Sequence, residues 1–346
     1  MALGLKILKE NTDYFGLDIG TSSIKVVQLR KSFGKQELIS FGSVPVPEGV
    51  TQSDSAVDIK KLGKIVKDLV HSMHLVTKNA IVSLPGNSIF TTVVKMPKMP
   101  MAEIRKAVSY QAEQNVPLKI SDVKIDWQII GQAPDTGEIS VMIIAAPIQK
   151  TQKMADIVEE AGLELDAIEI DAIATARALH ANEPLYMIVD IGMFMTELSV
   201  VQNGVLTLTR TVPVGGQVIT RAIAQNLGME LDQAEQFKIK FGIDQDKMEG
   251  KIFKAAKPVL NNLTEEIERS MKYYQDQYNQ NISLIKITGG SSRLIGMQGF
   301  LSENLGVNVV YGNPWGMVVH KPDITNQLNQ NATEFAVAVG LAMRGL

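Results

Sequence analysis

The chain has 346 residues, a formal net charge of -3, 45% hydrophobic and 21% charged residues, and no cysteine. That length fills two or three ordinary domains. The near-neutral charge removes any global drive toward nucleic acid, and the missing thiols exclude disulfides and thiolate metal sites, as suits a reducing cytoplasm.

The opening residues, Met1 to Lys9, are too short and too interrupted for a cleavable signal peptide. The most apolar run, Val141–Ile148, is roughly a third of the ~20 residues a membrane span needs. A soluble cytoplasmic protein is expected, touching a membrane only through a partner. Three strand-like runs follow in quick succession, Tyr14–Ile19, Ser23–Arg30 and Gln36–Val46, joined tightly enough for an antiparallel meander. Leu62, Ile65, Val66, Leu69, Val70 and Met73 recur at three and four residues and predict a helix. Asn79–Leu84 reads as a strand.

Residues 85–147 read as an inserted β-α-β-β subdomain: strand Ile89–Lys95, a Pro/Met connector, helix Ala102–Gln114 stopped before Pro117, and strands Lys124–Gly131 and Ile139–Pro147 around a turn at Pro134–Gly137. A helix over Gln149–Glu160, a short strand and a helix from Asp171 to His180 lead back to the larger domain. The opening pattern then repeats. Tyr186–Ile191, Thr196–Gln202 and Val205–Val212 are three strands, the last two joined by Asn203-Gly204, a strong hairpin signal. A helical block covers 217–281, its long helix striped by Val259, Leu260, Leu263, Ile267, Met271, Tyr274 and Tyr278. Strand Leu284–Ile287, a Gly-Gly turn, a helix to Leu305, strand Val307–Tyr311 and a last helix Thr333–Arg344 complete the chain. Two similar halves, each with an insertion, make a two-lobed α/β protein with a cleft between the lobes. The expected divisions are 11–84 plus 148–182 for the first lobe, 85–147 for its insertion, 183–216 plus 283–346 for the second lobe, and 217–282 for its helical subdomain.

Three glycine turns carry the candidate chemistry. In Gly16-Leu-Asp-Ile-Gly-Thr-Ser-Ser-Ile-Lys25, Gly20 permits a tight turn whose N–H groups converge as an anion nest. Thr21, Ser22 and Ser23 add hydroxyls, Lys25 can neutralise phosphate, and Asp18 can hold Mg²⁺ through waters. A plain capped hairpin is the other reading. Ile188-Val-Asp-Ile-Gly192 repeats the pattern with Asp190 and Gly192, but Met193, Phe194 and Met195 stand where small hydroxyl residues would suit a phosphate; apolar packing explains that trio. The third turn, Thr288-Gly-Gly-Ser-Ser292, lets a flat ligand lie on Gly289 and Gly290, with Ser291 at the start of a helix; a βα turn with a serine cap is the alternative. Glu235 and Lys238 share a helix face and can reach a ribose, or form a surface ion pair.

Taken together, Asp18-Ile-Gly20, Asp171 opening a helix, Asp190-Ile-Gly192, Gly289-Gly290 and the Ala336–Ala342 run resemble the actin/hexokinase/chaperone superfamily of ATPases. Within its FtsA-like branch the chain is similar to the PilM family of type IV pilus assembly. Tyr110–Pro117 with the Trp127 strand resembles that family's inserted subdomain, and Pro213-Val-Gly-Gly-Gln217 with Ala234, Glu235 and Lys238 resembles its second lobe. The resemblance implies a duplicated actin-like (ribonuclease H-like) α/β fold with ATP or ADP and Mg²⁺ in the interlobe cleft. Asp18 and Asp190 would face the metal, with Gly20, Thr21, Ser22, Ser23, Lys25 and Gly192 at the phosphates. Gly289, Gly290 and Ser291 would lie near adenosine and Glu235 and Lys238 near ribose, while Asp171 matches the position that orients water. It also implies a partner, the cytoplasmic N-terminal peptide of a PilN-like membrane protein, held in a groove beside the insertion, and a place at the inner-membrane platform that supports twitching motility. Other platform or motor proteins and a homo-oligomer remain open as further partners. The Met193–Met195 trio points to slow or absent hydrolysis. Three alternatives stand: a small-molecule kinase, for which no acceptor pocket is visible; an FtsA-like filament protein, disfavoured because no linker and amphipathic helix follow Arg344; and a degenerate member of the fold that binds no nucleotide.

Overall fold

The computed structural model describes residues 13–32, 34–75, 77–132, 137–180 and 183–345. The opening segment Met1–Lys9 and most of the expected Pro134–Gly137 turn lie outside the described residues.

The chain forms two compact units. The first holds the residues up to Ala178 together with Trp315–Thr325 and Val337–Leu346; the second holds Leu179–Pro314 and Asn326–Ala336. The first begins with the expected meander, β1 (Phe15–Ile19), β2 (Ser23–Ser32) and β3 (Lys35–Pro45), then α1 (Ala56–Met73) and β4 (Asn79–Leu84). Ser55 caps α1: its hydroxyl accepts from the Asp58 N–H at 3.1 Å and donates to the Asp58 carboxylate at 2.7 Å. That reciprocal pair satisfies a helix N–H with no partner of its own. The insertion follows as β5 (Phe90–Met96), α2 (Met101–Asn115), β6 (Val123–Gln132) and β7 (Ile139–Pro147). Its three strands run antiparallel in the order β5-β7-β6. Ile104, Val108 and Ala112 of α2 join Val141, Ile143 and Ala145 of β7 in a separate core. Then come α3 (Ile148–Glu160), β8 (Glu164–Ile170) and α4 (Asp171–Ala178).

The second unit repeats the plan with β9 (Leu185–Ile191), β10 (Thr196–Gln202) and β11 (Val205–Val212). Asn203 and Gly204 both take positive φ, 51° and 77°, as the tight hairpin turn between β10 and β11 demands. Helices α5 (Gly216–Leu227), α6 (Leu231–Phe241) and α7 (Lys251–Tyr278) lead to β12 (Leu284–Thr288), α8 (Met297–Leu305) and β13 (Asn308–Tyr311). A two-residue β14 (Val318–Val319), α9 (Thr325–Gln330) and α10 (Ala336–Ala342) end the path.

Apart from β14, which pairs in parallel with β3, the two main sheets share one topology. The first is ordered β14-β3-β2-β1-β4-β8 and the second β11-β10-β9-β12-β13. In each, three antiparallel strands precede two added in parallel. The internal repeat read from the sequence is therefore a repeat of sheet order.

The expected second lobe, 183–216 plus 283–346, is corrected at its end. Trp315–Thr325 and Val337–Leu346 belong to the first unit. The cause is close backbone packing that only glycine permits. A Cβ on Gly16 of β1 would fall 2.2 Å from the Ala338 carbonyl, and one on Gly340 would overlap the Ala174 carbonyl of α4 at 1.8 Å. Arg177 of α4 adds a 2.6 Å hydrogen bond to the Gly340 carbonyl.

Candidate functional site

Parallel strands gather loops at their carboxyl ends, where open α/β sheets bind ligands. In the first unit that edge carries Asp18, near the end of β1, and Asp171, which follows β8 directly. Gly20 closes the β1–β2 turn, its N–H donating to the Ser23 carbonyl at 3.1 Å; a Cβ there would come 2.9 Å from the same oxygen. Asp18 and Lys25 are register partners across the hairpin. Lys25 Nζ lies 3.8 Å from the Asp18 carboxylate and donates to the Ser23 hydroxyl at 2.8 Å. Both charged residues are buried. Burial raises the Asp18 carboxyl above the usual carboxylate range, opposed by the Lys25 charge. Thr21 is half-buried and Ser22 exposed. Beside Asp171, Glu169 is buried and held by both arms of the Arg177 guanidinium, at 2.6 and 2.8 Å.

The first unit also holds a small apolar cleft between the inserted sheet and the β8–α4 segment. Ile125, Ile144, Ala146, Thr151, Ile170 and Ile173 line it. Ile170 and Ile173 flank Asp171 in sequence.

In the second unit the three expected pieces meet. Gly192 closes its turn as Gly20 does, donating to the Met195 carbonyl at 2.9 Å. The Gly192 carbonyl accepts from the Gly216 N–H and from the Ser291 hydroxyl, both at 3.0 Å. Gly289 has φ +83°, and a Cβ on it would sit 2.3 Å from Asp190 Oδ1. A Cβ on Gly216 would sit 2.3 Å from the Ser291 hydroxyl. Gly290, by contrast, has no atom within 4 Å of where its Cβ would be, so bare backbone faces open space. Lys238 Nζ reaches the Gly216 carbonyl at 3.0 Å and Glu235 at 2.7 Å. Asp190, Gly192, Gly216, Gly289, Ser291, Glu235 and Lys238 thus form one linked patch.

One expectation changes there. Ser291 and Ser292 do not open a long helix: Gly290–Arg293 is a short 3₁₀ turn and α8 starts only at Met297. The serine hydroxyls are committed to backbone, Ser291 to Gly192 and Ser292 to the Gly289 carbonyl at 2.7 Å. The Met193–Met195 turn is closed by backbone contact. Gln217 donates to the Met193 carbonyl at 2.8 Å, and a Cβ on Gly215 would lie 2.6 Å from the same oxygen.

Sequence reasoning gave no site role to Gly215 and Gly216, which it placed only in the second lobe, nor to Thr220 and above all Glu197. Glu197 is the register partner of Asp190. Its carboxyl is pushed up to about 7, first by burial and then by the Asp190 charge, against a hydrogen bond from Thr209. The signal was available in the spacing: Asp190 to Glu197 repeats Asp18 to Lys25.

Among the described residues, no group of three or more His, Asp or Glu side chains could hold a metal ion by itself. A hard divalent cation here would take other ligands from phosphate oxygens and water. The bare backbone at Gly290 leaves room for a flat ligand.

Comparison with known proteins identifies the family and the fold. A family model described as type IV pilus assembly protein PilM matches residues 16–346. The solved PilM-PilN type IV pilus biogenesis complex is similar with a TM-score of 0.85, at 28% identity, over 97% of this chain and 99% of that one. MreB5 of Spiroplasma citri, solved with AMPPNP, is similar in fold alone, with a TM-score of 0.54 and 13% identity over 96% of this chain and 95% of that one. Cell division protein FtsA of Neisseria meningitidis serogroup B is 26% identical over 262 residues, 68% of this chain and 62% of that protein, so the chain spans less than two thirds of that relative. The fold is actin-like.

Proposed function

The chain belongs to the PilM family of type IV pilus assembly proteins, and from that membership we propose that it is a nucleotide-binding scaffold of the pilus platform, gripping the cytoplasmic N-terminal peptide of a PilN-like membrane protein. The observation that carries the scaffold reading is the apolar cleft beside the inserted sheet, a surface of the kind that takes the apolar side chains of an extended peptide. The likeness to the PilM-PilN complex supports it. No helix among the described residues is long and apolar enough to cross a membrane, and membrane contact would come through that partner. Other platform or motor proteins would join the same assembly, which serves pilus-driven twitching.

The ligand of the glycine patch is ATP or ADP with Mg²⁺. Gly289, Gly290 and Ser291 would border the adenosine and Glu235 the ribose. Gly20, Thr21, Ser22, Ser23, Lys25 and Gly192 would border the phosphates. Asp18 and Asp190 would hold the hydrated metal, which supplies charge neutralisation to the phosphates. Asp171 would orient a water. Hydrolysis is slow or absent, because the Met193–Met195 turn brings no side-chain donor to a γ-phosphate, whose transfer depends on positioning and charge stabilisation.

The test is calorimetric titration with two ligands, ATP·Mg²⁺ and a synthetic peptide copying the cytoplasmic N-terminus of the PilN-like protein. Asp190→Ala is expected to abolish nucleotide binding, and Ile173→Glu to abolish peptide binding by charging the cleft. A wild-type protein that binds neither ligand overturns the proposal. The similarity to FtsA supports a second reading, a filament-forming protein; ATP-dependent sedimentation of the purified chain would support it.

A further inference from the structure

The spacing puts Glu235 and Lys238 on one helix face, but their hydrogen bonds give them different tasks. An ammonium has three N–H donors. Those of Lys238 go to the Gly216 carbonyl at 3.0 Å, the Thr220 hydroxyl at 2.8 Å and Glu235 Oε2 at 2.7 Å. All three are used, and the side chain is buried. Lys238 has no donor left for a ligand.

Thr220 is buried as well. Its oxygen accepts from Lys238 and lies within reach of two acceptors, Glu235 Oε2 and the Gly216 carbonyl. The Gly216 carbonyl already receives a Lys238 N–H, and a carboxylate is the stronger acceptor. The single hydroxyl hydrogen therefore goes to Glu235. Glu235 Oε2 is thus held by one charged and one neutral donor, both buried. The other oxygen, Oε1, takes no hydrogen bond from the described residues, and the side chain is 44% exposed. Lys238 lies close to Gly216, and Gly216 abuts Ser291, so this carboxylate belongs to the same patch as the bare backbone of Gly290.

Resting on the nucleotide reading above, we infer that Thr220 is a positioning residue that, with Lys238, fixes the Glu235 carboxylate as the acceptor for ribose hydroxyls and so makes the site prefer ribonucleotides to deoxyribonucleotides. A carboxylate free to rotate satisfies itself in water when the ligand lacks a hydroxyl. One locked by two buried donors does not adapt, and a site built around a ligand hydroxyl rejects the analogue lacking it.

The experiment measures equilibrium affinity for ATP, 2′-deoxy-ATP and 3′-deoxy-ATP, each with Mg²⁺, on the full chain. The wild type should bind ATP more tightly than at least one deoxy analogue by about tenfold, the worth of a hydrogen bond to a charged group. Thr220→Val should shrink that ratio toward one while leaving affinity for the deoxy analogue within about twofold. Thr220→Ser, which restores the hydroxyl, should keep the wild-type ratio, and Lys238→Met should erode it. Melting curves identify any variant that fails to fold, in which case Thr220→Ala replaces Thr220→Val. Binding of all three nucleotides without discrimination by the wild type overturns this inference alone. So does an unchanged ratio in a folded Thr220→Val or Thr220→Ala protein. Failure of the wild type to bind any of the three overturns the nucleotide reading and this inference with it.

Discussion

Glu197 faces Asp190 across the β9–β10 hairpin, at the register position that Lys25 holds opposite Asp18 in the first unit. The two halves share a turn and an aspartate, yet one aspartate is matched with a cation and the other with a second carboxyl. The phosphate-clamp resemblance hides that inversion of charge, and it separates the two hairpins in their response to pH.

The Glu197 carboxyl is raised to about 7 from 4.5. Its neutral form is favoured in the folded protein, so the stability it contributes is fully present below pH 4.5 and is lost as pH rises through about 7. By linkage the loss is about 3 kcal/mol. Glu197→Gln keeps the neutral shape at every pH. The variant should match the wild type near pH 4.5 and exceed it at pH 8, read by urea denaturation at both values.

Lys25 is the cation beside a buried carboxylate. Lys25→Met should destabilise the protein by about 3 kcal/mol at pH 8, since an unpaired charge remains buried. The penalty should shrink as pH falls and Asp18 takes up a proton. Adding Asp18→Asn should recover much of it, which a double-mutant cycle measures.

Gly340 and Gly299 both lie in helices, and only Gly340 lacks room. Gly340→Ala drives a methyl into the Ala174 carbonyl and should cost about 3 kcal/mol or more. Gly299→Ala meets no atom within 4 Å on an exposed position of α8 and should stabilise by about 0.5–1 kcal/mol. Chemical denaturation of the two variants side by side checks both signs.

Arg177 binds buried Glu169 with both arms and also the Gly340 carbonyl. Arg177→Met should cost about 3–5 kcal/mol, because Glu169 is left charged and buried. It should also speed amide exchange in α10, which loses a tether to α4, as hydrogen exchange would read.

Much of this was legible in the sequence. The paired Asp-Ile-Gly turns, the Asn203-Gly204 hairpin and the β-α-β-β insertion are local patterns, and local patterns set local backbone. What escaped was non-local. Glu197 belongs with Asp190 only once two strands pair in one register. Gly216 serves the patch because α5 starts against a turn made 75 residues further along, at Ser291. Ser291 itself gave a misleading signal, since serine after Gly-Gly caps helices often, whereas here the chain tightens into a 3₁₀ turn. The return of α10 to the first unit was written in Gly16 and Gly340, but a glycine does not name the backbone it must admit.

That return bears on how the protein is made. Along the chain the first unit begins before the second, and it closes only with Val337–Leu346. Until then Gly16 of β1 and Ala174 of α4 lack the helix that packs on them, and Ile81, Ala167 and Tyr14 lack the covering side chains of Val337 and Leu341. The second unit is almost wholly synthesised inside that interval. Order of synthesis and order of completion are therefore reversed for the two halves, and the nascent chain carries an uncovered apolar seam until α10 is made.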